Sequence, residues 1–228
     1  MSDPVTIEVQ HPEEALRQGL EAKPGTTRAE LLKRVAVGGG AVAISGVAFG
    51  GLPSLAFAAS ASEDVKILNF ALFLEYLEAA FYTEAEQKGL LIGEARTFAQ
   101  VVGAHERAHR DYLKKALGSK AINSPRFDFR DTTTRTDKFI AAAVALEDTG
   151  VGAYNGQGAN LTKPTLAAAA TIVSVEGRHA AWIRDIADLS PLVVNKPAGG
   201  PAPYAFDPLY TKKQVEQRVN STGFVKSS

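Results

Sequence analysis

Apolar residues recur every three or four positions along four long stretches of the chain, which is the pattern of amphipathic helices. The first stretch follows Ser60-Ala61-Ser62-Glu63, a capping-box sequence, and runs to Lys88. The others are predicted from about Glu94 to Leu117, from about Thr136 to Tyr154, and from Pro164 to Leu189. Glycine or proline comes within two residues after each end, as is typical of helix termini.

The links between these helices differ in length, and this difference predicts the topology. A few residues join the first helix to the second and the third to the fourth, so each pair should form an antiparallel hairpin. The link from Gly118 to about Arg135 is longer, because roughly 16 extended residues span about 50 Å against about 36 Å for a helix of roughly 24 residues. The sequence therefore predicts an all-α four-helix bundle of two antiparallel hairpins joined by one long crossover.

Composition narrows the class of protein and the chemistry. The 228 residues fit one domain with accessory segments, and 45% of them are hydrophobic. The formal net charge is zero and no basic cluster occurs, so nucleic acid is not an expected partner. The chain has no cysteine, which excludes disulfides and thiolate metal sites. Any metal ligands must come from Asp, Glu and His.

Residues 1–58 have the features of a leader and export signal. A polar stretch is followed by basic residues, an uncharged run from Val35 to Ser62, and Ala56-Phe57-Ala58, the small-x-small pattern of signal cleavage. Thr27-Arg28-Ala29 and the following Leu-Leu-Lys resemble a twin-arginine signal, but Ala29 replaces the second arginine, so the export route stays open. The predicted location is periplasmic or extracellular, with a mature chain from near Ala59.

The alternative for this run is an uncleaved membrane anchor, because it is long enough to span a bilayer. Its six glycines and one proline make it a poor membrane helix, so no stable membrane insertion is expected after signal cleavage. The expected organisation is a leader over 1–58, the bundle over 59–190 and a Pro/Gly-rich tail over 191–228. A short helix is predicted in the tail from Thr211 to Val219.

Two Glu-x-x-His motifs suggest the chemistry of the bundle interior, because positions i and i+3 of a helix share a face. Two single glutamates lie on apolar faces of the other two helices. The separation between these glutamates nearly equals the separation between the motifs, so the pattern behaves as a duplicated hairpin. Buried carboxylates need compensation, which two divalent cations would supply. The predicted metal ligands are Glu75, Glu106, His109, Glu147, Glu176 and His179.

Four further residues are candidates to support these ligands. Tyr82 and Tyr154 each follow a single glutamate by seven residues, so a phenol could hydrogen-bond a ligating carboxylate or only pack its ring. Glu78 could replace or supplement Glu75, or it could be a solvated helix glutamate. His105 is one residue off the ligand face and is expected to support the structure or a ligand.

These segments resemble a known family. The run Leu68–Tyr82 (LNFALFLEYLEAAFY), His105-Glu106-Arg107-Ala108-His109 and Val175-Glu176-Gly177-Arg178-His179 resemble exported ferritin-like domain proteins, including the plant desiccation-related proteins. The resemblance covers about residues 64–190. It implies a ferritin-like bundle holding two iron or two manganese ions, with Glu75 and Glu147 as terminal or chelating carboxylates. It also implies that Glu106 and Glu176 bridge the ions and that His109 and His179 each bind one.

The expected chemistry is two-electron redox with oxygen or peroxide as partner, serving in stress protection as a ferroxidase or a peroxidase. A second copy of the chain is a further candidate partner. One alternative is a non-catalytic stress or desiccation-type protein whose metal is structural or lost. Another is a zinc peptidase, because residues 105–109 match H-E-x-x-H, although no third ligand follows and the second Glu-x-x-His is then unexplained.

Overall fold

The computed structural model describes residues 62–226, which fold into four long helices and one short one. These are α1 (Ser62–Lys88), α2 (Glu94–Leu117), α3 (Thr136–Gly158), α4 (Lys163–Leu189) and α5 (Lys212–Thr222), with a single 3-10 turn at Gly118–Lys120. Pairing of extended chain in this range is limited to one bridge between Phe127 and Val225. The predicted all-α four-helix bundle is confirmed.

The predicted leader and export signal, residues 1–58, lie outside the described residues, as does Ser60 of the predicted capping box. Among the helices between residues 62 and 226, none is long and apolar enough to cross a membrane.

The connection between α2 and α3 crosses the length of the bundle. At its start, the Asn69 side chain of α1 bonds the Lys120 carbonyl at 2.9 Å and accepts from the Ile122 amide at 2.8 Å. At its end, the Thr133 hydroxyl donates to Glu84, near the C-terminus of α1, at 2.7 Å. The α3 helix therefore begins at the C-terminal end of α1 and runs antiparallel to it.

Asp64 fixes the direction of the fourth helix. This buried carboxylate at the start of α1 accepts hydrogen bonds from the Thr162 amide at 3.1 Å, the Thr162 hydroxyl at 2.5 Å and the Thr165 hydroxyl, all at the start of α4. Burial opposes ionisation of Asp64, but these hydrogen bonds outweigh it and lower the pKa of the carboxyl. Helices α1 and α4 thus begin together, which completes two hairpins joined by a crossover.

The bundle interior is built of two apolar clusters. One contains aromatic residues near the α1–α2 loop, where the Phe81 ring stacks on Phe139 with centroids 5.2 Å apart. The other, near the start of α1, contains Leu68, Leu72 and Leu113. Along every long helix, the sequence passes from one cluster to the other, and a layer of buried carboxylates lies between them.

The α3 helix is longer than the sequence predicted. Asn155 to Gly158 is typical of a turn, and the prediction ended the helix at Tyr154; this was wrong, because α3 continues to Gly158. The reason is tertiary, since a Cβ atom on Gly156 would overlap the backbone of Tyr210, which packs against this face. Glycine here permits a close approach of the tail to the helix.

The C-terminal tail returns to the bundle through α5. Thr211 caps α5 in a capping box with Gln214, so the helix begins at Lys212, one residue after the predicted start. The helix extends past the predicted end at Val219 to Thr222, and Gly223 follows it in the left-handed conformation at φ 65°. Val215 and Val219 are buried in the aromatic cluster, so this helix belongs to the core.

Candidate metal centre

A layer of carboxylates and imidazoles crosses the middle of the bundle. The four glutamates in it have no exposed surface and His179 is 3% exposed, while His109 is partly buried. Each long helix contributes at least one of these side chains. The structure brings all six predicted ligands together: Glu75 from α1, Glu106 and His109 from α2, Glu147 from α3, and Glu176 and His179 from α4.

The six side chains form two overlapping groups that could each hold a metal ion. Donor atoms of Glu75, Glu106, His109 and Glu176 lie within 4.8 Å of one another, and so do those of Glu106, Glu147, Glu176 and His179. Glu106 and Glu176 belong to both groups. Each group has one single glutamate and one imidazole of its own.

The Nδ1 atoms of the two histidines face the carboxylates. His109 Nδ1 lies 3.0 Å from Glu176, 3.3 Å from Glu106 and 3.6 Å from Glu75. On the other side, His179 Nδ1 lies 2.9 Å from Glu106, 3.4 Å from Glu147 and 3.8 Å from Glu176. Each imidazole therefore approaches both shared glutamates and the single glutamate of its own group.

Many of these buried atoms lack a hydrogen-bond partner among the described residues. His179 Nδ1 is one, because its 2.9 Å approach to Glu106 does not have hydrogen-bond geometry. The buried oxygens without a partner are Glu75 Oε2, Glu106 Oε1, Glu147 Oε2 and both oxygens of Glu176. Oxygen and nitrogen lone pairs that point at one another without a hydrogen-bond donor are costly to bury, but they can bind a cation. This set of ligand atoms therefore fits a pair of metal ions.

Comparison with known proteins assigns the family. The sequence profile of the ferritin-like domain matches residues 63–188, which is more than half of the chain. The chain belongs to the ferritin-like domain family. No curated protein matches it. The resemblance is confirmed as far as the ferritin-like domain, and family membership together with the two Glu/His groups is compatible with metal binding.

Burial governs the carboxyl groups in this ferritin-like domain. It raises the pKa of Glu106 well above its ordinary value, together with the nearby charge of Glu176. Burial also raises the pKa of Glu147 to about 7, although the approach of His179 opposes this. Burial acts in the same direction on Glu176, but the two nearby imidazoles outweigh it and lower its pKa to about 2. The layer thus contains an ionised shared carboxylate beside carboxyls that resist ionisation.

When no metal ion is bound, the protonated imidazoles supply the positive charge that compensates the buried carboxylates. Burial lowers the pKa of His179, but the nearby carboxylates of Glu106, Glu147 and Glu176 outweigh it and raise the value to about 12. The pKa of His109 is raised well above its ordinary value, because its own carboxylate neighbours outweigh burial in the same way. Since a metal needs neutral imidazole, these protons must leave when a cation enters.

Each of the two tyrosines hydrogen-bonds the single glutamate of the other hairpin. The Tyr154 hydroxyl donates to Glu75 Oε1 at 2.5 Å, and the Tyr82 hydroxyl donates to Glu147. The sequence placed each tyrosine near the level of the glutamate on its own helix, whereas the partner lies on the other hairpin. Because α1 and α3 are antiparallel, a phenol leaning toward the start of its own helix meets the facing glutamate. Burial raises both phenol pKa values well above 10, so both remain donors.

His105 lies outside both donor groups and contacts a predicted ligand instead. Its Nδ1 is 2.9 Å from His179 Nε2, and the two rings lie edge to edge, with centroids 5.1 Å apart and planes inclined by 14°. Burial and the neighbouring His179 lower the pKa of His105, which favours a neutral ring that accepts the Nε2 proton of His179. This arrangement argues against H-E-x-x-H zinc chemistry, which would need His105 and His109 on one ion.

Glu78 is buried rather than solvated. It is 3% exposed, so the alternative of a solvated helix glutamate is wrong, and it lies outside both donor groups. Burial, followed by the charge of Glu147, raises its pKa well above its ordinary value. Its carboxyl lies beside Gly150 of α3, where a Cβ atom would be 3.4 Å from Glu78 Oε1. Sequence reasoning missed Gly150, although it follows Glu78 at the same spacing as Glu147 follows Glu75, which was a usable signal.

Proposed function

We propose that this ferritin-like domain binds two iron or two manganese ions between its four long helices. Glu106 and Glu176 would be shared by the two ions, Glu75 and His109 would complete one position, and Glu147 and His179 would complete the other. The observation that supports this most directly is the pair of overlapping donor groups that share Glu106 and Glu176. Oxygen and imidazole donors suit both metals, since neither requires a thiolate.

A bound pair of such ions supplies two-electron redox chemistry with oxygen or peroxide. The candidate reactions are Fe(II) oxidation, peroxide removal and oxidation of a further substrate. Each would serve in stress protection. The protein's own part is positional: apolar clusters on both sides exclude water, and Tyr82 and Tyr154 hold Glu147 and Glu75 in place.

Activity is tested on the reconstituted full chain. Protein loaded with Fe(II) or Mn(II) is expected to consume oxygen or peroxide faster than the same metal in buffer. The matched control is Glu84→Gln, a glutamate of α1 that bonds Lys88 and Thr133 away from the centre. A protein that holds two ions but consumes neither oxidant would support a non-catalytic stress protein instead.

Export is a separate part of the proposal. The basic residues, apolar run and Ala56-Phe57-Ala58 within residues 1–58 support secretion to the periplasm or beyond. N-terminal sequencing of protein from the native host is expected to find a chain that starts near Ala59. An intact N-terminus on the purified protein would contradict cleavage at this site.

A further inference from the structure

The two hairpins repeat each other around the centre. Equivalent positions of α1 and α3 have one constant spacing along the chain, and those of α2 and α4 have a nearly equal one. The equivalent pairs are Glu75 with Glu147, Tyr82 with Tyr154, Glu106 with Glu176, and His109 with His179. A perfect repeat would give the two metal positions the same surroundings, so each departure from it identifies a difference between them.

The first departure is at Glu78, whose equivalent residue is Gly150. The two face each other across the bundle, since a Cβ atom on Gly150 would lie 3.4 Å from Glu78 Oε1 and 3.4 Å from Glu176 Oε2. A glutamate at both positions would leave no room for either carboxyl. The absent side chain of Gly150 therefore makes space for one extra carboxyl, and only one.

The second departure is at His105, whose equivalent residue is the half-buried Val175. His105 Nδ1 lies 2.9 Å from His179 Nε2, and the other nitrogen of the His179 ring, Nδ1, faces the carboxylates. In contrast, no described residue bonds His109 Nε2, and the His109 side chain is 13% exposed against 4% for His179. His179 therefore has a partner at the ring nitrogen remote from the carboxylates, and His109 has none there among the described residues.

The two departures differ in what they touch. Glu78 lies on the side of the shared Glu176, because a Cβ atom on Gly150 would be 3.4 Å from a carboxylate oxygen of each. His105 contacts His179, which belongs with Glu147 in one donor group. The half with Glu75 and His109 has no counterpart of His105, because Val175 occupies the equivalent position.

We propose that the two metal positions are inequivalent, and that His105 is a positioning residue that makes the Glu147–His179 position the tighter one. This inference rests on the proposed two-metal function. A second imidazole that accepts the Nε2 proton fixes the tautomer of His179 and makes it a better donor to a metal.

The test is stepwise titration of the metal-free 228-residue chain with Mn(II), followed by the electron paramagnetic resonance of free Mn(II). The wild type is expected to bind in two resolved steps. His105→Phe is expected to weaken the first step by about 10-fold or more and leave the second unchanged. Phenylalanine keeps an aromatic ring at this position but removes the nitrogen that faces His179 Nε2.

Two further variants separate positioning from general packing. Val175→Ala alters the equivalent of His105 on the other hairpin and is expected to leave both steps unchanged. His105→Gln offers an amide oxygen to His179 Nε2 and is expected to recover much of the first step. Circular dichroism melting of each metal-free variant identifies any that fails to fold.

The outcomes are distinct for the two proposals. Equal affinities in the wild type, or variants that weaken both steps alike or neither, would overturn the inequivalence while two-metal binding stands. Wild-type protein that binds no Mn(II) or Fe(II) would instead overturn the two-metal function and, with it, this inference.

Discussion

Glu176 and Glu106 differ from the other glutamates of the centre because both imidazoles approach them. Glu176 lies 3.0 Å from His109 and 3.8 Å from His179, whereas Glu75 is approached by His109 and Glu147 by His179. Substitution of a side chain that belongs to both donor groups should weaken metal binding in both. Substitution of a side chain that belongs to one group should weaken metal binding in that group only.

This difference predicts distinct metal contents for two otherwise similar variants. Glu176→Gln should lose both ions, because each group loses one of its two shared carboxylates, whereas Glu75→Gln should retain one. Elemental mass spectrometry of the purified variants measures the metal-to-chain ratio. Glu84→Gln should keep the wild-type ratio, and equal losses in Glu176→Gln and Glu75→Gln would contradict the shared role.

At the residue scale, spacing in the sequence was enough to select the six candidate ligands, because i to i+3 positions on a helix share a face. It was not enough to place Glu78, whose burial depends on the absence of a side chain at Gly150 on another helix. Nor could it show that Tyr82 bonds Glu147 rather than Glu75, since that depends on how α1 and α3 face each other.

The helices show where local sequence decides structure and where tertiary contacts do. The second helix starts and ends at Glu94 and Leu117 as predicted, between Gly93 at φ 60° and Gly118 at φ 55°. The third does not end at its apparent turn, because Gly156 is there to admit Tyr210, which lies in the tail beyond the whole of α4. A contact between such distant parts of the chain leaves no periodic trace in the sequence.

Gly156 and Gly177 therefore provide a matched pair of substitutions inside helices. Alanine usually stabilises a helix by up to about 1 kcal/mol over glycine, and a Cβ atom on Gly177 would meet nothing within 4 Å. Gly177→Ala should raise the free energy of unfolding by that amount. Gly156→Ala should lower it by about 1–3 kcal/mol, because its Cβ atom overlaps the backbone of Tyr210. Urea unfolding measures both, and a stabilised Gly156→Ala would contradict the packing described.

The contact between α1 and α4 at Asp64 predicts a pH-dependent stability. Asp64→Ala should cost about 1–3 kcal/mol at neutral pH, because hydrogen bonds to an ionised, buried carboxylate are lost. The native pKa of Asp64 is lowered, so its contribution is present above its unfolded pKa and disappears as the pH falls through the native value. The difference between wild type and variant should therefore shrink in urea unfolding below about pH 4. A difference that stays constant down to about pH 2 would show that the charge is not involved.

At the scale of the whole molecule, the centre joins all four long helices and separates two apolar clusters. The bundle and its crossover were predictable because helix periodicity and link length restrict the topology strongly. The docking of α5 was not, since the Pro- and Gly-rich composition around it is typical of extended chain, while Val215 and Val219 are buried by distant residues. The predicted leader over residues 1–58 stays a prediction.

The most direct test of the two-metal assignment is the metal content of the protein purified from its native host. Elemental mass spectrometry together with amino-acid analysis gives both the identity of the metal and the number of ions per chain. Two iron or manganese ions per chain are the predicted result. One zinc ion per chain, or no bound metal in protein isolated without chelators, would contradict it.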